Sequence, residues 1–283
     1  MTITASAGHC AAAIDDEISC RLFELGARAG ARFSAPGQMF ESVISDIYSA
    51  VLKEGDLALD GGANVGRHTF PMAVAVGTGG LVLAAEAIPM LSESLKEKVR
   101  QNKLPQVQVI GKALYDKSTT VEYHLVENNP GYSGIETRLY DFEAKVLRIP
   151  LETVTIDALL RNYNLHFRAI ARRPWRFCKL DLEGGELRAL QGARKSLKRY
   201  RPLIVFENGQ ESSAQYYRYS REEWFGFFAS IGYAVFTLWG RSFTQADWGR
   251  DDIPWYFIAA PRNSDHARFV TERLPSLLVK YLD

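Results

Sequence analysis

The chain is poor in cysteine, in net charge and in uninterrupted apolar runs, and each shortage removes a class of function. Its three cysteines among 283 residues, Cys10, Cys20 and Cys178, have no metal-ligand spacing and cannot all pair. Neither a disulfide scaffold nor a zinc module is therefore expected; free thiols in a reducing compartment are, and with them a cytoplasmic location. Basic and acidic residues nearly cancel, 34 against 33, so the molecule as a whole has no field to draw nucleic acid or an anionic membrane, and neither is expected as a partner. The opening stretch lacks a basic region and carries Asp15, Asp16 and Glu17 where a secretory signal needs apolar residues, so secretion is not expected. Gly77, Gly79, Gly80, Glu86 and Pro89 break the most apolar window, Phe70 to Leu91, which reads as helix, turn and strand rather than a membrane span. Internal repeats and low-complexity tracts are also lacking.

What is present is an ordinary globular composition, 47% hydrophobic and 24% charged, long enough for one large α/β domain with attachments or two small domains. Residues 1–52 read as an N-terminal helical extension. Its candidate helix, Gln38 to Leu52, places Met39, Phe40, Val43, Ile44, Ile47, Tyr48 and Val51 at helical spacing, either to pack on the main domain or to cover a cofactor. From Asp56, short apolar runs alternate with helical patterns, the signature of a parallel sheet built from βαβ units. Strands are expected at Leu57–Leu59, Leu81–Ala85, Val107–Ile110, Phe177–Leu180, Leu203–Phe206, Ala234–Leu238 and Tyr256–Ala260, with a helix over Gly185 to Arg199 among others. Within this domain, 53–265, the segment 117–150 breaks the alternation: Thr120–Val126 and Lys145–Leu151 flank a turn-rich tip and read as a hairpin-like insertion, for substrate contact or as an inert excursion. Residues 266–283 read as a C-terminal helix that docks on the domain or supports a homodimer.

The run Asp60-Gly61-Gly62-Ala63-Asn64-Val65-Gly66 follows a strand and precedes a helix. Glycine lets such a turn approach a ligand closely, and the helix start offers unpaired amides, so a nucleotide-bearing cofactor fits. Glu86, with Ala87 beside it, closes the second strand, where a carboxylate can accept from ribose hydroxyls; that feature also fits NAD. Asp60 discriminates, because its charge would repel a diphosphate and suit the ammonium and sulfonium of S-adenosylmethionine. Its alternative role is a helix cap. After the third strand, small Ala113 leaves room for an adenine ring and Leu114 could cover a face.

Asp181 and Glu183 leave the fourth strand, and Glu207 and Asn208 the fifth, at the rim that holds Asp60 and Glu86. Strand carboxyl ends in an open parallel sheet converge on the ligand crevice, so these acids form one site. The cofactor loop, the block Lys179-Leu180-Asp181-Leu182-Glu183-Gly184-Gly185-Glu186 with Gln191-Gly192-Ala193, and Pro202 to Glu207 together resemble the FkbM family of methyltransferases, from about Asp56 to Leu238. The resemblance implies a Rossmann-like class I fold with a seven-stranded, mostly parallel sheet and helices on both faces. It also implies S-adenosylmethionine as cofactor and O-methylation of hydroxyls on sugars or similar natural products. Asp60, Gly62, Asn64 and Gly66 match the family's cofactor loop, Glu86 its ribose acid, and Asp181, Glu183 and Glu207 its recurrent acids. Ala87-Ile88-Pro89, where the family commonly has Pro directly after the ribose acid, and Gly185, where it commonly has Ala, are departures that leave the substrate class open.

A hydroxyl acceptor must lose a proton, so a base is needed beside it. Asp181, which also belongs to the expected cofactor contacts, is the first candidate, followed by Glu183, Glu207 and His68; Glu186 reads as a partner of its helix N-terminus. A metal on Asp181, Glu207 and Asn208 is conceivable but nothing sets its ligand count, and none is expected. The rivals are an NAD-linked oxidoreductase, nucleic-acid modification suggested by the basic runs Arg172 to Arg176 and Arg194 to Arg201, and a non-catalytic binding protein of the same fold. Tyr216, Tyr217, Tyr219, Trp224, Phe225, Phe227 and Phe228 read either as a surface for sugar rings or as helix packing.

Overall fold

Helix α1 (Pro36–Val51) buries every apolar residue that its spacing singled out, from Met39 and Phe40 through Val43, Ile44, Ile47 and Tyr48 to Val51. The computed structural model describes Arg21 and residues 36–166 and 174–281. The acidic opening stretch, Cys10, Cys20, Arg172 and Arg173 lie outside the described residues.

The chain then lays down β1 (Leu57–Gly61), α2 (Thr69–Val76), β2 (Leu81–Ala85), α3 (Pro89–Gln101) and β3 (Val107–Ile110). After an insertion come α4 (Ile156–His166), β7 (Trp175–Leu180), α5 (Glu186–Gln191), α6 (Arg194–Tyr200), β8 (Leu203–Glu207), α7 (Glu211–Tyr217), α8 (Arg221–Ser230), β9 (Tyr233–Thr237) and β10 (Tyr256–Pro261). Seven strands form one sheet in the order β3-β2-β1-β7-β8-β10-β9, in which only β10 runs antiparallel to its neighbours. This is the Rossmann-like α/β architecture expected.

Strand residues alternate between two cores, Leu57 and Leu59 facing one layer and Ala58 the other. On the first side lie Leu159, Leu190, Leu197 and Trp224; on the second lie α1, α2 and a C-terminal helical run whose Phe269, Val270, Leu274 and Leu278 are buried. Each such side chain contributes roughly 1.5–3 kcal/mol of burial. The C-terminal run thus docks on its own domain, through the apolar face considered for a homodimer. The strand order reverses beside β1, between β2 and β7, so the crevice must open at the carboxyl ends of β1 and β7.

Two details differ from the sequence reading. The helix expected over Gly185 to Arg199 is two helices, because Gly192 comes so close to the chain that a Cβ there would lie 2.2 Å from the carbonyl oxygen of Tyr115. Helix α7 was not foreseen. The insertion is a hairpin, β5 (Thr120–Val126) against β6 (Val146–Val154) in register from Thr120↔Glu152 to Val126↔Val146, with β4 (Ala113–Leu114) on the other side of β6. Trp224, Phe225 and Phe228 pack around Phe206, Phe243 and Phe257 in the core rather than at a site; of the aromatics from Tyr216 to Phe228, Tyr217 reaches the crevice.

Candidate active site

A cavity of about 490 Å³ opens where the topology demands, the size of a small-molecule site. Its floor is the turn after β1. Gly62 has φ +75°, and a Cβ on it would stand 1.9 Å from the carbonyl oxygen of Asp181, so the turn and the end of β7 pass each other as bare backbone. Asn64 and Glu86 line one end together: Glu86 Oε2 accepts from the Asn64 amide at 2.8 Å and Oε1 from the Ile88 amide at 2.9 Å. Ala87, Ala113 and Leu114 complete that end.

At the other end stand acids and cations. Lys179 is 3% exposed, and its Nζ lies 3.2 Å from Asp181 Oδ2, which also accepts from the Tyr256 phenol at 2.9 Å. The same phenol oxygen lies 3.3 Å from Glu41 Oε1, while His68 Nε2 donates to Glu41 Oε2 at 2.5 Å. Glu183 takes φ 57° at the start of the turn into α5, a left-handed conformation that side chains rarely adopt, and its carboxylate pairs with Arg138 from the insertion. Burial opposes the charge on Asp181, yet Lys179 and hydrogen bonds from Glu207 and Tyr256 hold its carboxyl down at about 2. Burial and the charge of Asp181 raise Glu183 to about 7 in spite of Arg138. Burial and the same charge push Glu207 well above the carboxylate range.

Of the expected site residues, Gly62, Asn64, Glu86, Ala87, Ala113, Asp181, Glu183 and His68 reach the wall, whereas Asp60, Gly61, Gly66 and Glu207 do not. Asp60 is the main correction. It is 1% exposed beneath the turn and off the cavity wall, and its Oδ2 accepts from the Thr69 hydroxyl at 2.5 Å, so it ties β1 to the first residue of α2. Gly61 packs against the Leu180 and Leu114 side chains, and Gly66, at φ +90°, against Phe70 and Leu95. Asp181 was the first choice of base, but a carboxyl held so firmly ionised is a poor proton acceptor. His68 is 4% exposed and committed to Glu41. Glu186, 0% exposed, accepts from the amides of Leu182 and Gly184 and so caps the turn, in line with its helix-terminal reading.

Asp181, Glu183 and Glu207 each bring an oxygen within 4.8 Å of the others. Their counter-charges in the protein are Lys179 and Arg138. Asn208 is engaged elsewhere, donating to the Tyr219 hydroxyl and accepting from the Gln210 amide, so it is no ligand. Sequence reasoning missed Glu41, Arg138, Trp255 and Tyr256 on or beside this wall. Lys179 stood inside a quoted block without a role. The insertion does reach the crevice, through Pro130, Gly131, Ser133 and Ile135.

Among the described residues no helix is long and apolar enough to cross a membrane. No curated protein matches the chain. Solved structures similar in fold include the methyltransferase FkbM from Methylobacillus flagellatus KT, at 16% identity and TM-score 0.44, over 76% of this chain and 50% of that one. The match thus spans half the length of that protein. Others are a putative rRNA-methylase from Clostridium thermocellum, at 12% identity, TM-score 0.43 and coverage of 78% and 94%, and the O-methyltransferase from Bacillus cereus in complex with SAH, at 12%, 0.41, and 87% and 91%. The family model of the methyltransferase FkbM domain matches residues 60–235, from the buried aspartate at the end of β1 to the middle of β9. With a match over more than half its length, the chain belongs to the FkbM methyltransferase family.

Proposed function

We propose that the protein is an S-adenosylmethionine-dependent O-methyltransferase acting on a hydroxyl of a sugar or similar small natural product. The observation that carries this reading is one cavity at the carboxyl ends of β1 and β7 that gathers the bare backbone of the Gly62 turn, Glu86, and the neighbouring carboxyls of Asp181 and Glu183, which their surroundings shift in opposite directions.

The cavity suits the cofactor. Each oxygen of Glu86 accepts one backbone amide and keeps a lone pair for a ribose hydroxyl, and the bare backbone at Gly62 leaves room for a nucleoside to lie close. Ala113 and Leu114 offer small and apolar contact for an adenine. S-adenosylmethionine supplies a methyl group activated on a sulfonium. Glu183 takes the proton of the acceptor hydroxyl, and Arg138 keeps its carboxylate in place. Asp181, fixed by Lys179 and Tyr256, adds the negative charge that favours a cationic group in this end of the cavity. Pro130 and Gly131 of the insertion and Trp255, which packs on Phe40 at 4.5 Å, border the space left for an acceptor. We assign 53–265 as the methyltransferase domain, with 1–52 and 266–283 as extensions, and place the protein in the cytoplasm on the strength of its few cysteines and the buried free thiol of Cys178.

Calorimetry of the full chain with S-adenosylmethionine and with NAD tests the cofactor, and methyl transfer to glycosides and to phenols tests the acceptor. Preference for NAD would overturn the reading.

A further inference from the structure

With Asp60 off the wall, the cationic end of the cofactor needs another partner. We propose that Glu41, on the helix that precedes the matched family region, receives the ammonium of the cofactor's amino-acid portion, together with Asp181. The proposal rests on the assignment of S-adenosylmethionine above and adds a binding residue to it.

Position is the first ground. Glu41 lines the same cavity as Gly62, Asn64 and Glu86, beside Tyr256 and His68, and its side chain is 21% exposed. Helix α1 cannot shift it easily, because Phe40, Val43 and Ile44 beside it are buried in the core beneath.

The second ground is a shortage of donors. A phenol carries one proton, yet the Tyr256 oxygen lies within reach of two carboxylates, at 2.9 Å from Asp181 and 3.3 Å from Glu41. Asp181 has Lys179 as well. His68 serves Oε2 of Glu41, so among the described residues the phenol proton is the one hydrogen bond offered to Oε1, and it is shared with the better-placed Asp181. An ammonium brings three donors to this pair of oxygens, which otherwise share one phenol proton.

The third ground is charge. Burial works against ionisation of Glu41, but the hydrogen bond and charge of His68, with Lys179, outweigh it and hold the carboxyl below its ordinary value. Of the acids nearby, Glu183 is paired with Arg138, and Glu207 lies off the wall. Arg67 stands 3.8 Å from Glu41 Oε2, but it is 61% exposed and screened by water.

The test compares two ligands that share an adenosine and differ in the amino-acid end. S-adenosylhomocysteine carries the ammonium; 5′-methylthioadenosine does not. Calorimetry on the full chain is expected to show that Glu41→Gln weakens S-adenosylhomocysteine by about tenfold or more while changing 5′-methylthioadenosine by less than about twofold, the latter certifying a folded site. Unchanged affinity for S-adenosylhomocysteine overturns the proposal. An equal loss for both ligands overturns it too, since the effect is then not on the amino-acid end. A wild-type chain that binds neither ligand sinks the cofactor reading itself, and is distinguished from both by that result.

Discussion

Lys179 and Asp181 sit at the end of the same strand with one residue between them, and their ammonium and carboxylate meet at 3.2 Å around a wall shared with helix α1. Alternation along a strand puts both side chains on one face, so the fourth parallel strand delivers a ready-made ion pair to the crevice. Lys179 also feels the charges of Asp60 and Glu41, and despite full burial its ammonium is held above the ordinary range.

Removing that ammonium leaves buried carboxylates without a cation. Lys179→Met is expected to cost about 3–5 kcal/mol in urea unfolding, the range for breaking a buried pair. Lys179→Met combined with Asp181→Asn should recover part of the loss. Strict additivity of the two single substitutions would show that the pair has no energetic coupling.

Glu183 must be ionised to accept a proton, so the rate of methyl transfer is expected to climb as pH rises through about 7 and then level off. Glu183→Gln should remove that limb and lower kcat by about 10²–10⁴-fold. Its affinity for S-adenosylhomocysteine should be unchanged. A variant with near-normal turnover would reassign the base.

Glu186 gives a pH dependence of stability rather than of rate. Burial first, opposed by the amides it caps, raises its folded carboxyl to about 8, whereas the unfolded chain releases that proton near about 4.3. Between those values the native state binds more protons, so stability falls as pH rises across the window. Thermal melts from pH 5 to pH 8 should show this slope, and Glu186→Gln, which keeps an acceptor for the Leu182 and Gly184 amides, should flatten it. Glu183 and Glu207 are raised in the same direction, so a residual slope will persist. A variant with the wild-type slope would discount the buried proton.

Much of this architecture was legible beforehand because apolar period and glycine placement are local signals. The parallel strands and the hairpin at Thr120–Val126 could be read to within a few residues, and so could α1 from its apolar spacing. The break at Gly192 could not, since its cause is the carbonyl of Tyr115, distant in sequence. The site shows the same division. Glu86, Asn64 and Asp181 could be brought to one cavity from sequence because they end strands or follow them closely. Asp60 was found on the right strand but assigned the wrong direction, because residue type and position along a strand do not say that Thr69 will claim its carboxylate. Glu41 and Tyr256 gave no signal at all: each sits in an ordinary amphipathic helix or apolar strand, and their meaning arises from a contact between residues 215 positions apart.

That long-range contact has a thermodynamic consequence. A molecule seated against Glu41, Glu86 and Tyr256 touches the first described helix, the middle of the chain and its last strand at once. Ligation is therefore linked to the cohesion of α1 with both halves of the sheet, and the melting temperature of the protein is expected to rise with the logarithm of donor concentration.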